Sequence, residues 1–226
     1  MSEEKCTEGK TLGGVLKGVT DRLIEKDQPQ DQNQKEKILE RVSNYNWDVN
    51  MKKDVTGNDN RFSNRRELLE DLSNWSTKIL LGRNDVDGCN YAPHNIFILG
   101  ASGIGKTHIS KKSMLLTGGY TINIPHFYNV MRNSGNWDLI DQTINSKMQQ
   151  PILMDDFKKM GSEGSSYMSE KMYHWLEKLA RRWVVWTSNY DLAQITDDFG
   201  AQISSRMKRD GNVIIEMNKK IMDYND

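Results

Sequence analysis

The chain has 226 residues, which at about 150 residues per domain predicts one or two domains. Its 31 Lys and Arg side chains balance 31 Asp and Glu side chains, so the formal net charge is zero. This excludes a protein that binds polyanions through a large excess of basic charge, although a local basic groove stays open. No apolar run approaches the ~20 residues of a membrane span, and the N-terminus lacks a signal-peptide pattern. We therefore expect a cytoplasmic protein.

Two polar stretches divide the N-terminal part of the chain. Residues 26–37 contain no apolar side chain, and residues 52–61 contain only Val55. Because such segments bury too little surface to offset the entropy cost of ordering, we predict that both are linkers. The expected division is an N-terminal region over 1–61, short, helical and flexible, and a main domain over 62–226.

An apolar stripe precedes the first linker. Apolar residues recur at helical spacing from Leu12 to Ile24, with Thr11 as a candidate N-cap. A short stripe on a polar tether suits docking into a groove on a partner, and packing on the protein's own core explains it equally well. The piece from Ile38 to Trp47 is a candidate second small helix.

The main domain alternates helical and strand-like segments. A helical face runs from Leu68 to Leu80, beginning near Ser63 or Asn64. Short apolar runs then predict five strands at Asn95–Leu99, Tyr120–Ile124, Pro151–Met154, Trp183–Thr187 and Asn212–Met217. Strands that alternate with helices predict an α/β fold with a mainly parallel five-stranded sheet flanked by helices.

A glycine-rich segment follows the first strand. Residues 100–107, GASGIGKT, fit the pattern G-x-x-x-x-G-K-[ST], with a helical run after them. The glycines let backbone N–H groups converge on phosphates, and the helix N-terminus adds its positive dipole end. Lys106 would neutralise phosphate charge, and Thr107 would ligate Mg²⁺. The segment predicts binding of a nucleoside triphosphate.

Two carboxylates and an amide follow later strands. Asp155 and Asp156 come directly after the apolar run that starts at Pro151. Asp155 would hold Mg²⁺, and Asp156 would orient the attacking water or accept its proton. Asn189 follows the fourth strand, and in a parallel sheet beside the loop-bearing strand it would lie near the γ-phosphate.

An arginine precedes the last strand. Arg206 lies in the segment ISSRM, on a predicted short helix. An arginine supplied by a neighbouring subunit is worth roughly 10³–10⁵ in the rate of phosphoryl transfer. Many helical arginines are merely solvated, so the spacing alone leaves both roles open for Arg206.

These segments in this order resemble the AAA+ ATPases, and within them the DnaC/DnaI-type helicase loaders and their IstB-like relatives. The matching stretches are GASGIGKTHIS, ILMDDF, WTSNY and ISSRM, within residues 62–217. The resemblance implies ATP and Mg²⁺ as ligands. It implies nucleotide contacts from Gly100, Ala101, Ser102, Gly103, Ile104, Gly105, Lys106, Thr107 and His108.

The same resemblance implies partners and an assembly. It implies a homo-oligomer with ATP sites between subunits, in which Arg206 completes the neighbour's site. It also implies an N-terminal region that binds a replicative helicase, which suits the stripe at Leu12–Ile24. The nine residues after Met217 lead us to expect no C-terminal helical lid domain.

Single-stranded DNA is a further expected partner. Basic and aromatic side chains after the phosphate loop are candidates, because cations neutralise phosphates and rings stack on bases. The candidates are Lys111, Lys112, Phe127, Tyr128 and Arg132. For the two rings, we slightly favour the alternative interpretation that they are core residues of a helix after the second strand.

Three other functions share the phosphate loop. An IstB-like helper of DNA transposition has every motif above and would recruit a transposase on duplex DNA. A small-molecule kinase needs an acceptor pocket and a lid, and the Thr-Ser-Asn strand end and the Ser-Ser-Arg helix disfavour it. An ATP-gated adaptor would differ only in slower turnover. We predict a helicase loader that uses ATP hydrolysis to release its partner.

Overall fold

The computed structural model describes residues 29–47, 63–83, 94–147, 149–159 and 161–217. The stripe at Leu12–Ile24 and the polar run at 52–61 lie outside these residues, as does the segment after Met217. The chain divides into two compact units, Met1–Asn90 and Tyr91–Asp226. The functional division between residues 61 and 62 stays a prediction. None of the described helices is both long enough and apolar enough to cross a bilayer.

Two helices form the described part of the first unit. Helix α1 spans Pro29–Ser43 and helix α2 spans Ser63–Arg83, and they pack against each other. The prediction of an irregular linker over residues 26–37 is wrong from Pro29 onward. Apolar side chains at the end of α1, such as Leu39 and Val42, are buried. Their burial stabilises a helix that continues back through Gln, Lys and Glu, which have good helix propensity.

The second unit contains a five-stranded sheet. Its strands are β1 (Asn95–Gly100), β2 (Tyr120–Asn123), β3 (Ile152–Asp155), β4 (Val184–Thr187) and β5 (Val213–Met217). They lie in the order β2-β3-β4-β1-β5, and every pairing is parallel. The predicted α/β class and parallel sheet are confirmed, and the arrangement is consistent with a P-loop AAA+ core.

Six helices connect or flank these strands in the described part of the second unit. They are α3 (Lys106–Thr117), α4 (Ile124–Ser134), α5 (Leu139–Ser146), α6 (Gly161–Lys178), α7 (Leu192–Phe199) and α8 (Ala201–Met207). The core of the unit lies between helices and sheet and includes Phe97, Phe157, Trp175 and Trp186, all fully buried. Burial of this apolar surface holds the strand ends in fixed positions.

Small or polar residues end four neighbouring strands at one edge of the sheet. Gly100, Asn123, Asp155 and Thr187 are the last residues of β1, β2, β3 and β4. Asn123 is directly opposite Asp155 in the register of β2 and β3. Because parallel strands all end on the same side, the loops that carry the predicted site meet there.

Candidate functional site

The glycine-rich loop leaves the sheet at Gly100 and enters α3 at Gly105. Gly100 has a φ of 126°, and a Cβ atom there would lie 2.4 Å from the carbonyl oxygen of Met217 on β5. Only glycine fits this turn. Gly105 is the N-cap of α3 and has a φ of 88°. The free N–H groups of the first helical turn therefore lie next to the loop. This is the geometry of an anion cradle.

Lys106, the first residue of α3, is buried. Its Nζ donates to the carbonyl oxygens of Gly100, at 2.8 Å, and of Ala101. It also donates to Oδ1 of Asn189, at 3.1 Å. Burial lowers the pKa of Lys106 to about 8, against the opposing charges of Asp156 and Asp155. The ammonium group therefore lies inside the loop, where a triphosphate would meet it.

The carboxylate of Asp155 is buried at the end of β3 and has neutral donors on both oxygens. Oδ1 accepts the hydroxyl protons of Thr107, at 2.7 Å, and of Thr187, at 2.8 Å. Oδ2 accepts an amide proton of Asn123 at 3.1 Å. Four elements of the fold thus meet at one carboxylate, and its position is set by hydrogen bonds.

Asp156 faces the loop lysine through an amide. Its Oδ1 accepts from Nδ2 of Asn189 at 2.9 Å, and the oxygen of that same amide accepts from Lys106. Its Oδ2 forms an ion pair with Lys158 at 3.0 Å. The chain Lys106–Asn189–Asp156 joins the phosphate loop to the candidate base.

The oxygen donors suit a hard divalent cation. Thr107 and Asp155 bring a hydroxyl and a carboxylate oxygen within 2.7 Å of each other beside the loop. Mg²⁺ prefers such oxygen ligands and is commonly bound by one or two protein groups together with substrate phosphates. The residues present fit Mg²⁺ with a nucleoside triphosphate. We name Thr107, Asp155, Asp156, Thr187 and Asn189 the carboxylate edge.

Arg206 lies in a separate group of side chains on α6 and α8. Its Nε donates to Oε1 of Glu177, and its guanidinium carbon lies 3.8 Å from the ring centroid of Tyr173, whose hydroxyl accepts from it. Arg209 donates to both oxygens of Glu177, at 3.1 and 2.6 Å. These hydrogen bonds lower the pKa of Glu177. We name Tyr173, Glu177, Arg206 and Arg209 the arginine cluster.

The candidate DNA contacts lie on α3 and α4. Lys111 and Arg132 are exposed. Phe127 and Tyr128 are partly buried and pack against the core, which favours the core interpretation of both rings. Lys112 is half-buried, and His108, at the start of α3, is exposed.

Sequence reasoning missed several residues that contact the predicted ones. Asn123 contacts Asp155, Lys158 contacts Asp156, and Glu177 contacts Arg206. The signal for Asn123 was its place as the polar last residue of a strand beside β3. Glu177 gave no such signal, because it contacts Arg206 only through the packing of two helices distant in sequence.

No protein-family model matches the chain, and no curated protein matches it. Among solved structures, the chain is similar to one described as "Crystal structure of the DnaC helicase loader". The two share 17% identity with a TM-score of 0.46, over 79% of this chain and 99% of that chain. The function of the site therefore has to be inferred from its own residues.

Proposed function

We propose that this protein is an AAA+ type ATPase that loads a replicative helicase on single-stranded DNA. The observation that carries the ATPase part is the meeting of Lys106, Thr107 and the two carboxylates at one edge of the sheet. A buried ammonium group, a hydroxyl-carboxylate pair and a half-buried carboxylate are the groups that phosphoryl transfer requires.

Each group has a separate task in hydrolysis. Lys106 neutralises charge on the β- and γ-phosphates, and Thr107 and Asp155 hold Mg²⁺, which offsets the remaining phosphate charge. Asp156 orients the attacking water or accepts its proton. The amide of Asn189 lies between Lys106 and Asp156, and it hydrogen-bonds phosphate or water without adding charge.

Arg206 completes the site of a neighbouring copy in this proposal. Its hydrogen-bond partners are Glu177, Tyr173 and the carbonyl of Gln202, which lie on α6 and α8. None of these partners belongs to the phosphate loop of its own chain. Both arginines that bind Glu177 lie on or just after α8, and the two cations share one carboxylate, so the group keeps one net positive charge for an incoming phosphate. The assembly proposed is a homo-oligomer with ATP sites between subunits.

The helicase and DNA parts of the proposal are supported by the motif resemblance. GASGIGKTHIS, ILMDDF, WTSNY and ISSRM are the stretches shared with helicase loaders. The stripe at Leu12–Ile24 is the candidate helicase contact, and Lys111, Lys112, Phe127, Tyr128 and Arg132 are the candidate DNA contacts. ATP binding would assemble the oligomer on its partner, and hydrolysis would release it.

The test is light scattering after size exclusion of the protein mixed with the replicative helicase of its host, with and without ATP. A joint peak in ATP that is lost on deletion of residues 1–25, with ATP turnover retained, supports the loader. Turnover without a joint peak contradicts the loader and moves the assignment to the transposition helper. Binding to duplex DNA in ATP would then be measured. Absence of both nucleotide binding and turnover contradicts the ATPase itself.

A further inference from the structure

The hydroxyl of Thr187 lies between the two residues that carry the site carboxylates. Thr187 is the last residue of β4 and is 1% exposed. Its Oγ1 donates to Oδ1 of Asp155 at 2.8 Å and accepts the backbone N–H of Asp156 at 2.9 Å. One hydroxyl group therefore contacts both residues and has no hydrogen left for another acceptor.

The backbone of the turn after β3 also forms hydrogen bonds with the end of β4. The N–H of Phe157 donates to the carbonyl of Thr187 at 2.9 Å. The hydroxyl of Ser188 donates to the carbonyl of Phe157 at 2.7 Å. The turn after β3 is thus bound to the end of β4 on both sides of Asp156.

Asp156 needs this support because its backbone is strained. Its φ is 58°, and it is the one non-glycine residue with a positive φ in the part of the chain that the structure describes. Residues with a Cβ atom enter this region at a cost, and such strain persists where surrounding contacts over-determine it. Here the strained conformation lets Asp156 reach Asn189 and Lys158.

Three threonine hydroxyls inside helices of the second unit make a different kind of bond. Thr117, Thr143 and Thr196 each donate to the carbonyl four residues earlier in their own helix, at 2.8 Å. Those bonds stay within a single helix. The contacts of Thr187 instead join two strands and reach one carboxylate directly and the other through its backbone.

We propose that Thr187 is a positioning residue for ATP hydrolysis. Its proton orients the Asp155 oxygen that it shares with Thr107, and its lone pair holds the Asp156 amide in the left-handed conformation. Since the hydroxyl has one proton, donation to Asp155 leaves only an acceptor for the backbone N–H of Asp156. One hydroxyl therefore orients the carboxylate of Asp155 and holds the backbone that carries Asp156. This inference rests on the proposed ATPase function.

The experiment compares Thr187→Val, which removes the hydroxyl at nearly constant volume, with Thr187→Ser, which keeps it. Loss of outer-shell partners commonly costs about 10–100-fold in activity or metal affinity, so we expect that fall in kcat for Thr187→Val. We expect nucleotide affinity in EDTA, measured with a fluorescent ATP analogue, to change less than about threefold. The gain in that affinity on adding Mg²⁺ should shrink by about tenfold or more. Thr187→Ser should restore both quantities.

Thr117→Val is the matched control, because Thr117 is similarly buried and its hydroxyl donates to the carbonyl of Ser113 in its own helix, α3. It should match the wild type in kcat and in the Mg²⁺-dependent gain. Should Thr187→Val not fold, Thr187→Cys replaces the hydroxyl by a weak thiol donor, and a fall of about tenfold in kcat is then expected.

Three results would overturn the inference. The first is a folded Thr187→Val, or Thr187→Cys in its place, with wild-type kcat and Mg²⁺ response. The second is a Thr187→Ser that is as impaired as Thr187→Val. The third is an equal loss in Thr117→Val, which would mark a general cost of removing a buried hydroxyl. A wild-type protein that neither binds nor hydrolyses ATP removes the proposed function, and this inference falls with it.

Discussion

The carboxylate edge and the arginine cluster hold their charged groups in different ways. Asp155 is buried at a strand end and is bonded by Thr107, Asn123 and Thr187 from three other elements. Arg206 is half-buried, with 18% of its side chain exposed, and its charge partner Glu177 is 38% exposed. The first group is positioned by the core, and the second by exposed side chains.

The difference indicates which group can move. Buried hydrogen bonds in a low-dielectric environment are costly to break, whereas exposed ion pairs contribute little and are screened by salt. The carboxylate edge is therefore suited to fixed geometry before phosphoryl transfer. Arg206 can exchange its exposed partner Glu177 for a phosphate more easily than Asp155 can lose its buried donors, which suits a residue that serves another subunit.

The sharpest test of this contrast is Arg206→Ala against Arg209→Ala. Both arginines donate to Glu177, so a purely structural cluster should respond similarly to either change. A finger role predicts that Arg206→Ala lowers kcat by roughly 10³-fold at unchanged nucleotide affinity. Arg209→Ala should stay within about threefold of the wild type, because an exposed ion pair contributes little. Steady-state turnover and analogue binding measure both.

Mixing inactive variants tests whether the site is shared. Arg206→Ala keeps an intact phosphate loop, and Lys106→Ala keeps an intact arginine. Turnover that reappears on mixing the two shows sites between subunits. Equal loss in both arginine variants, with no recovery on mixing, would make the arginine cluster structural.

Within the phosphate loop, Lys106→Ala should weaken binding of an ATP analogue by about 100-fold, since a buried charge-assisted contact is lost. Thermal stability should not fall, because the variant also removes a cation whose burial is unfavourable. Lys208→Ala, on an exposed turn after α8, is the control and should bind like the wild type. Unchanged affinity in Lys106→Ala would remove the phosphate-loop assignment.

The pH dependence of binding follows from the lowered pKa of Lys106, about 8. A polyanion binds the protonated ammonium, so above this pKa binding must take up a proton. Affinity should then fall about tenfold per pH unit above pH 8 and be insensitive to this group below pH 7. Lys106→Arg keeps its charge throughout, so its affinity should not show the fall. A wild-type affinity that is level up to pH 9.5 would contradict the protonated role.

The smallest expected effect concerns stability. Asn123 caps α4 by accepting from the N–H of His126 at 3.0 Å. It also donates to Asp155. Asn123→Ala should lower the free energy of unfolding by about 1 kcal/mol, or about 2–4 °C in thermal midpoint. Asn123→Ser keeps a cap acceptor and should lose less. Glu177→Gln, in the arginine cluster, should lower the thermal midpoint less than Asn123→Ala does. A larger drop for Glu177→Gln would contradict the contrast between the carboxylate edge and the arginine cluster.

Much of the fold was predictable because it depends on local patterns. All five strands begin and end within one residue of the predicted runs. Strand β2 ends one residue early, because Ile124 begins α4 as a buried helical residue. The same reasoning failed for residues 29–37. Their side chains are nearly all polar, and their helix is stabilised by residues that follow, together with packing on α2. Composition within a short window does not contain that information.

The candidate site divides in the same way. Order along the chain is enough to predict that a glycine-rich loop, two carboxylates and an amide follow parallel strands, because strand direction and alternation bring strand ends to one edge. The fold alone shows that Thr187 and Asn123 bond Asp155, that Asp156 adopts a left-handed backbone, and that Glu177 binds Arg206. These contacts join residues about 30 positions apart. Hydrogen bonds over such separations depend on register and side-chain packing, which no local pattern specifies.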